Sequence, residues 1–173
     1  NGLDRPLFTQ LTSWIGDLLS GNLGNSMQTN RSVTEMLTPA LQYSAKLAGL
    51  AFVIIIPISV LGGIAAAMKR GKILDRIVTV GGLSAAVIPE FIWAVVLVLL
   101  FGVTFQIFPV TAFPDEVGAG IGTQIFYLTL PSISLLLVLF GYIARITRAG
   151  VIEALESEYV RTAVLKGLSR RKA

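Results

Sequence analysis

The residues able to do chemistry fall into two groups. The first is Pro89-Glu90-Phe91, where Glu90 is the one ionisable side chain inside a long apolar stretch. A charged side chain at the centre of a membrane helix costs about 2.5–3.5 kcal/mol on insertion scales, so a tolerated one faces protein or water. Either Glu90 lines a pathway or pairs with another span, or Pro89 distorts the helix near its cytoplasmic end and Glu90 reaches the headgroups. The second group lies in the polar tail from Gly150 onward, which reads as a surface helix and in which Glu158, Tyr159, Arg161, Thr162, Ala163, Lys166 and Gly167 follow in a mixed polar and apolar pattern. Glu158 and Arg161 are spaced to pair across one helical turn. Gly167 followed by Leu168 suits a left-handed C-cap, and Ser169 suits the cap of a further helix. A helix, a glycine turn and a second helix would serve equally as a solvated connector or as a docking element.

Most other chemistry is excluded. Cys and His are both absent, which removes disulfides, thiol catalysis, Cys/His zinc sites and every triad built on imidazole. Gly71-Lys72 lacks the upstream Gly and the following Ser or Thr of a phosphate-binding loop. Gly118, Gly120 and Gly122 have the wrong spacing for a dinucleotide fingerprint and read as a turn. No metal site is expected.

The elements that must position these residues are membrane helices. Apolar residues make up 54% of the 173, charged ones 14%, and mean hydropathy is +0.76; a soluble domain carries about 25% charged residues. Leu47–Met68 is about 22 residues without a charge, enough to cross a ~30 Å hydrocarbon layer. Ile77–Phe108 would reach about 48 Å as one straight helix, so it must tilt, project or break, most naturally at Pro89. Tyr127–Ala144 supplies a third span within about 125–147. The small-residue pairs Gly62/Ala66, Gly63/Ala67, Gly81/Ala85 and Gly82/Ala86 suit close helix packing. The fold class expected is therefore all-α, a polytopic transmembrane bundle.

Basic residues orient the bundle, because Lys and Arg are retained on the cytoplasmic side. Lys69, Arg70, Lys72 and Arg76, against Asp75, place the turn between the first two spans inside. The Pro109–Phe126 loop, with Asp115 and Glu116 and no basic residue, falls outside. Arg145, Arg148, Arg161, Lys166, Arg170, Arg171 and Lys172 place the tail inside. Residues 1–46 then lie outside, 47–149 hold the three spans and 150–173 are cytoplasmic. An amphipathic helix is expected from Leu7, Phe8, Leu11, Trp14, Ile15, Leu18 and Leu19, with Pro6 at its start and Gly21 after its end. Ser32 and Glu35 have capping-box spacing for a short helix that Pro39 interrupts. Beginning with Asn1 and ending in a basic stretch, the chain reads as a piece of a longer one.

In this order, the features resemble the permease subunit of bacterial ABC importers of the dipeptide, oligopeptide and nickel class. The resemblance runs through WIGDLLSGNLGNS (14–26), RSVTEMLTPAL, the basic KRGKILDR, SAAVIPEF (84–91), IFPV (107–110) and LPSISL (130–135). It is most specific in RITRAGVIEALESEYVRTAVLKGL (145–168). That last run is similar to the cytoplasmic loop by which such permeases dock into their ATPases, usually written Glu-Ala-Ala, three residues, Gly. Gly167 takes the Gly position and Ala163 the second Ala; Thr162 and Arg161 depart from the first Ala and the Glu, as is typical of the peptide branch.

The resemblance implies a subunit that is not itself an enzyme. It would form a translocation path by alternating access in a bacterial or archaeal plasma (inner) membrane. A second permease subunit, two cytoplasmic ATPase subunits and an extracytoplasmic substrate-binding protein are the implied partners. ATP and magnesium are expected in the ATPases, with no cofactor on this chain. An ion-coupled secondary transporter or channel is the competing reading, and Glu90 as a lone buried acid weighs against it. A membrane-anchored scaffold would lack the Ala163 to Gly167 pattern.

Overall fold

The computed structural model describes residues 6–114 and 118–167, and every described element is helical. Leu168, Ser169, Arg170, Arg171 and Lys172, and the acidic pair Asp115 and Glu116, lie outside the described residues. Contacts divide the chain into a unit up to Lys46 and a unit from Leu47 onward.

In the first unit, α1 (Leu7–Leu19) starts after Pro6 and exposes its apolar residues, Leu7, Phe8, Leu11, Trp14, Ile15, Leu18 and Leu19. Its end is a Schellman turn. The Asn22 amide donates to the Asp17 carbonyl at 2.8 Å and the Gly21 amide to Leu18 at 3.1 Å, with Gly21 at φ +82°. The Gly-Asn-Leu-Gly-Asn-Ser stretch then folds on itself: Asn22 Oδ1 accepts from the Gly24 amide, and Asn25 bridges Ser32. Helix α2 (Val33–Met68) follows. Here the structure corrects the sequence reading, because α2 runs through Pro39 without a break. The amide that Pro39 lacks would have bonded the Glu35 carbonyl, and that turn is exposed, so water can satisfy the carbonyl instead.

The second unit holds the remainder of α2, a tight turn at Gly71 (φ +77°), and α3 (Ile73–Arg76). A π-helical turn (Ile77–Gly81) leads into α4 (Gly82–Val87). After extended Ile88 come α5 (Glu90–Leu97) and a π-helical segment, Val98–Thr104. The two arms, Ile73–Val87 and Glu90–Thr104, are bent by 98° at their break. Helix α6 (Ile121–Leu155) and the short α7 (Glu158–Leu165) complete the described chain. Val33–Met68 and Ile121–Leu155 are each long and apolar enough to cross a membrane; the bent pair qualifies as a third span only when its arms are taken together.

The first arm lies antiparallel along one face of α6. Asp75 pairs with Arg148, Val78 shares a core cluster with Ala144, and Gly82 meets Gly141. These positions are spaced i, i+3, i+7 on both helices, one stripe of each. At the other end, residues after Thr104 fold back, with the Ile107 and Phe108 amides donating to the Phe101 carbonyl. Phe108 stacks on Phe126 near the start of α6, with ring centroids 5.1 Å apart. Phe126 and Arg148 are about 33 Å apart at 1.5 Å per helical residue, close to the thickness of a hydrocarbon layer. The broken pair therefore enters at one end of the apolar part of α6 and leaves at the other.

Small residues make this packing possible. A methyl group on Gly141 would lie 2.3 Å from the Gly82 backbone, and one on Gly63 would lie 2.5 Å from the Ala144 carbonyl oxygen. Gly62 faces the Phe140 ring, whereas Gly81 has open space. Buried Ser132 and Ser134 return their hydroxyls to the Leu128 and Pro131 carbonyls of their own helix.

Candidate functional site

The polar tail folds differently from the surface helix expected from Gly150 onward. Gly150–Leu155 continue α6, and the break comes at Glu156-Ser157, where the Ser157 Oγ donates to the Ala154 carbonyl. Helix α7 starts at Glu158 with Ser157 at its N-cap position. Tyr159, Thr162, Ala163 and Lys166 recur at i, i+3, i+4 and i+7, so they share one face, and with Glu158 they line a shallow open surface. Val160 lies on another side, where it lines a groove with Ala67, Met68, Ile152 and Leu155 from the ends of α2 and α6. Arg161 reaches back to Glu158 at 3.7 Å, an exposed pair of small energetic weight. Gly167 adopts φ +91°, the left-handed position after a helix, and its amide donates to the Val164 carbonyl at 3.0 Å. Any L side chain at that φ is strained.

Pro89, Glu90 and Phe91 are not part of that surface. They sit at the elbow, about 22 Å along the first arm from its start at Ile73. Pro89 is the N-cap of α5 and Glu90 its first residue, where a carboxylate is favoured by the helix dipole. Glu90 and Phe91 are exposed, and no described residue forms an ion pair with Glu90.

Trp93, which sequence reasoning missed, holds the elbow. Pro89 lacks the amide that would bond the Ala85 carbonyl, and the Trp93 indole N–H donates to that carbonyl at 2.9 Å instead. A donor-bearing ring four residues past a span-interrupting proline was the signal available.

Two charge pairs tie the turn after α2 to the end of α6. Arg70 pairs with Glu156, immediately before α7. Arg148 grips Asp75 with two donors, Nε to Oδ1 at 2.6 Å and an Nη to Oδ2 at 2.8 Å. Asp75 is almost fully buried and also accepts the Gly71 amide at 2.8 Å. The Arg148 guanidinium and the Gly71 amide together satisfy the Asp75 carboxylate. Charge counting had used these residues only to orient the chain; a lone acid in a run of Lys and Arg was the hint that it had a specific partner.

Helices long enough to span, a broken third crossing and a short amphipathic helix beyond the last span define an all-α, multi-pass membrane protein. Its sequence matches the profile of the binding-protein-dependent transport system inner membrane component over residues 58–173. The chain belongs to that family, a transport component of the inner membrane and not an enzyme. It is 34% identical to the oligopeptide transport system permease protein OppB of Salmonella typhimurium, a match covering 98% of this chain and 54% of that protein. It is 33% identical to the di/tripeptide transport system permease protein DppB of Pseudomonas aeruginosa, over 97% and 56% respectively. OppB of Escherichia coli is 33% identical, over 98% and 54%. The chain spans about half the length of the curated relatives it matches.

Proposed function

We propose that this chain is a permease subunit of an ATP-driven, binding-protein-dependent importer of di- or oligopeptides. Its spans form part of a path that opens alternately to the two sides, and α7 docks into a separate ATPase subunit. The observation that carries this reading is the free face of α7. Tyr159, Thr162, Ala163 and Lys166 project from a short helix just beyond the last span, closed by Gly167 in a left-handed turn. A small residue flanked by polar ones lets a cleft on a partner admit the helix end, and Glu158, Arg161 and Lys166 supply charges for its rim. The names of the relatives support peptides as the cargo class.

In this reading residues 1–46 are outside and α7 is cytoplasmic, in line with the basic residues around Gly71 and along α7. A second permease subunit, two ATPase subunits carrying ATP and magnesium, and an extracytoplasmic binding protein complete the assembly. Pro89, Glu90 and Phe91 sit at the elbow, where a change of bend would alter the path.

Affinity purification of the complete subunit from mild detergent tests the proposal. Two ATPase subunits and a second permease are expected to co-purify, and Ala163→Trp is expected to lose the ATPases while keeping the second permease. Gly167→Trp should do the same, with the added strain of its φ. Recovery of the chain alone, with transport that follows an ion gradient and ignores ATP, would sink the importer reading and make Glu90 central.

A further inference from the structure

The contact between α6 and the first arm of the broken span is made mostly of small residues, with the Phe140 ring packed beside them. At Gly82 and Gly141 two backbones touch with no side chain between them, and Val78 and Ala144 next along the stripe are small. Smooth apolar helix faces in lipid gain no hydrophobic energy from one register over another, because the alternative surroundings are equally apolar. Among the described residues, the ion pair between these two helices lies at the end of the stripe, the two-pronged contact of Arg148 with Asp75. Buried ion pairs are poor sources of net stability and are better attested as register devices. An Arg fork adds geometric specificity that a point charge lacks.

The position of this pair matters as much as its chemistry. Arg148 stands two helical turns before Glu156, which holds Arg70 beside the start of α7, and two turns after Gly141. Asp75 stands just ahead of the π-helical turn that opens the broken span.

We propose that Asp75 and Arg148 are positioning residues that lock α6 to the first arm of the broken span, so that a displacement imposed on α7 moves the elbow instead of letting α6 slide. This rests on the reading of α7 as the ATPase-docking helix. Neither residue touches cargo or nucleotide; both act through the register of the helix pair. Breaking the lock leaves the docking surface intact and removes its mechanical consequence. The expected phenotype is therefore uncoupling, with hydrolysis continuing while transport fails.

The test uses the complete complex, with its second permease, ATPases and binding protein, reconstituted in liposomes. The probe is a mixture of alanine di- to pentapeptides, with uptake read by mass spectrometry and hydrolysis by phosphate release. Asp75→Asn is expected to keep hydrolysis within about twofold and to lower peptide taken up per ATP by roughly tenfold or more. Arg148→Lys, which keeps the charge and loses the fork, should fall between Asp75→Asn and wild type. The exchanged pair Asp75→Arg with Arg148→Asp should recover part of the lost ratio. Should Asp75→Asn and Arg148→Lys both keep the wild-type ratio, or should uptake and hydrolysis fall in proportion, the pair has no part in coupling and the proposal is overturned. Failure of both variants to assemble would also overturn it, by making the pair structural. A wild-type complex that hydrolyses ATP without taking up any peptide overturns the importer reading itself, and is distinguishable because no variant is needed to see it.

Discussion

Helical continuity fails in the turn ahead of the bent span and again at its elbow, and the two breaks are repaired differently. Ahead of α3, at Gly71, the chain turns sharply and the Gly71 amide is taken by Asp75, whose other partner, Arg148, belongs to a helix 73 positions away in sequence. At Ile88-Pro89 the chain turns by 98°, and the Ala85 carbonyl, which accepts from the Ile88 amide at 3.3 Å, also accepts from the Trp93 indole, eight positions away in the same segment. The first repair ties distant parts of the fold together. The second is local, made within the bent segment itself. The bent span is thus tied to a distant helix at one end and bridged within itself at the bend.

The difference is sharpest where there is no room. Gly141→Ala places a methyl group 2.3 Å from backbone atoms of Gly82, which cannot rotate away as a side chain would. Overpacking of this kind typically destabilises by about 1–3 kcal/mol, and backbone against backbone belongs at the upper end. Gly81→Ala, one position from Gly82, meets nothing within 4 Å. It should be neutral or stabilising by up to about 1 kcal/mol, since Gly is the poorer helix former. Thermal unfolding of both variants in the same detergent checks the contrast. Equal melting temperatures would mean that α4 and α6 are not in contact.

How much of this was legible in the sequence depends on whether a feature is local. The apolar lengths, the break at Pro89, the pairing of Glu158 with Arg161 and the left-handed Gly167 follow from short-range composition and spacing. Pro39 was misread because a rule about helix interiors was applied to an exposed turn, where water can take the place of the missing amide. The start of α7 was placed too early because Gly150 and the first acidic residues resemble a helix boundary in isolation, while the actual break comes at Glu156-Ser157. Arg148 and Asp75 were each visible as charges, and nothing in a single sequence says that they meet. The small-residue pairs were recognised as packing motifs, but only the fold shows that Gly82 is used against α6 and Gly81 is not.

The elbow should respond more modestly than the glycine contact. Trp93→Phe keeps the ring and removes the N–H, leaving the Ala85 carbonyl with the amide of Ile88 at 3.3 Å. A loss of about 1 kcal/mol is expected, the usual worth of one neutral hydrogen bond. Hydrogen exchange should rise around residues 85–93 and stay unchanged around Gly71. A rise at Gly71 as well would show that bend and clamp are one mechanical unit, against the comparison drawn above.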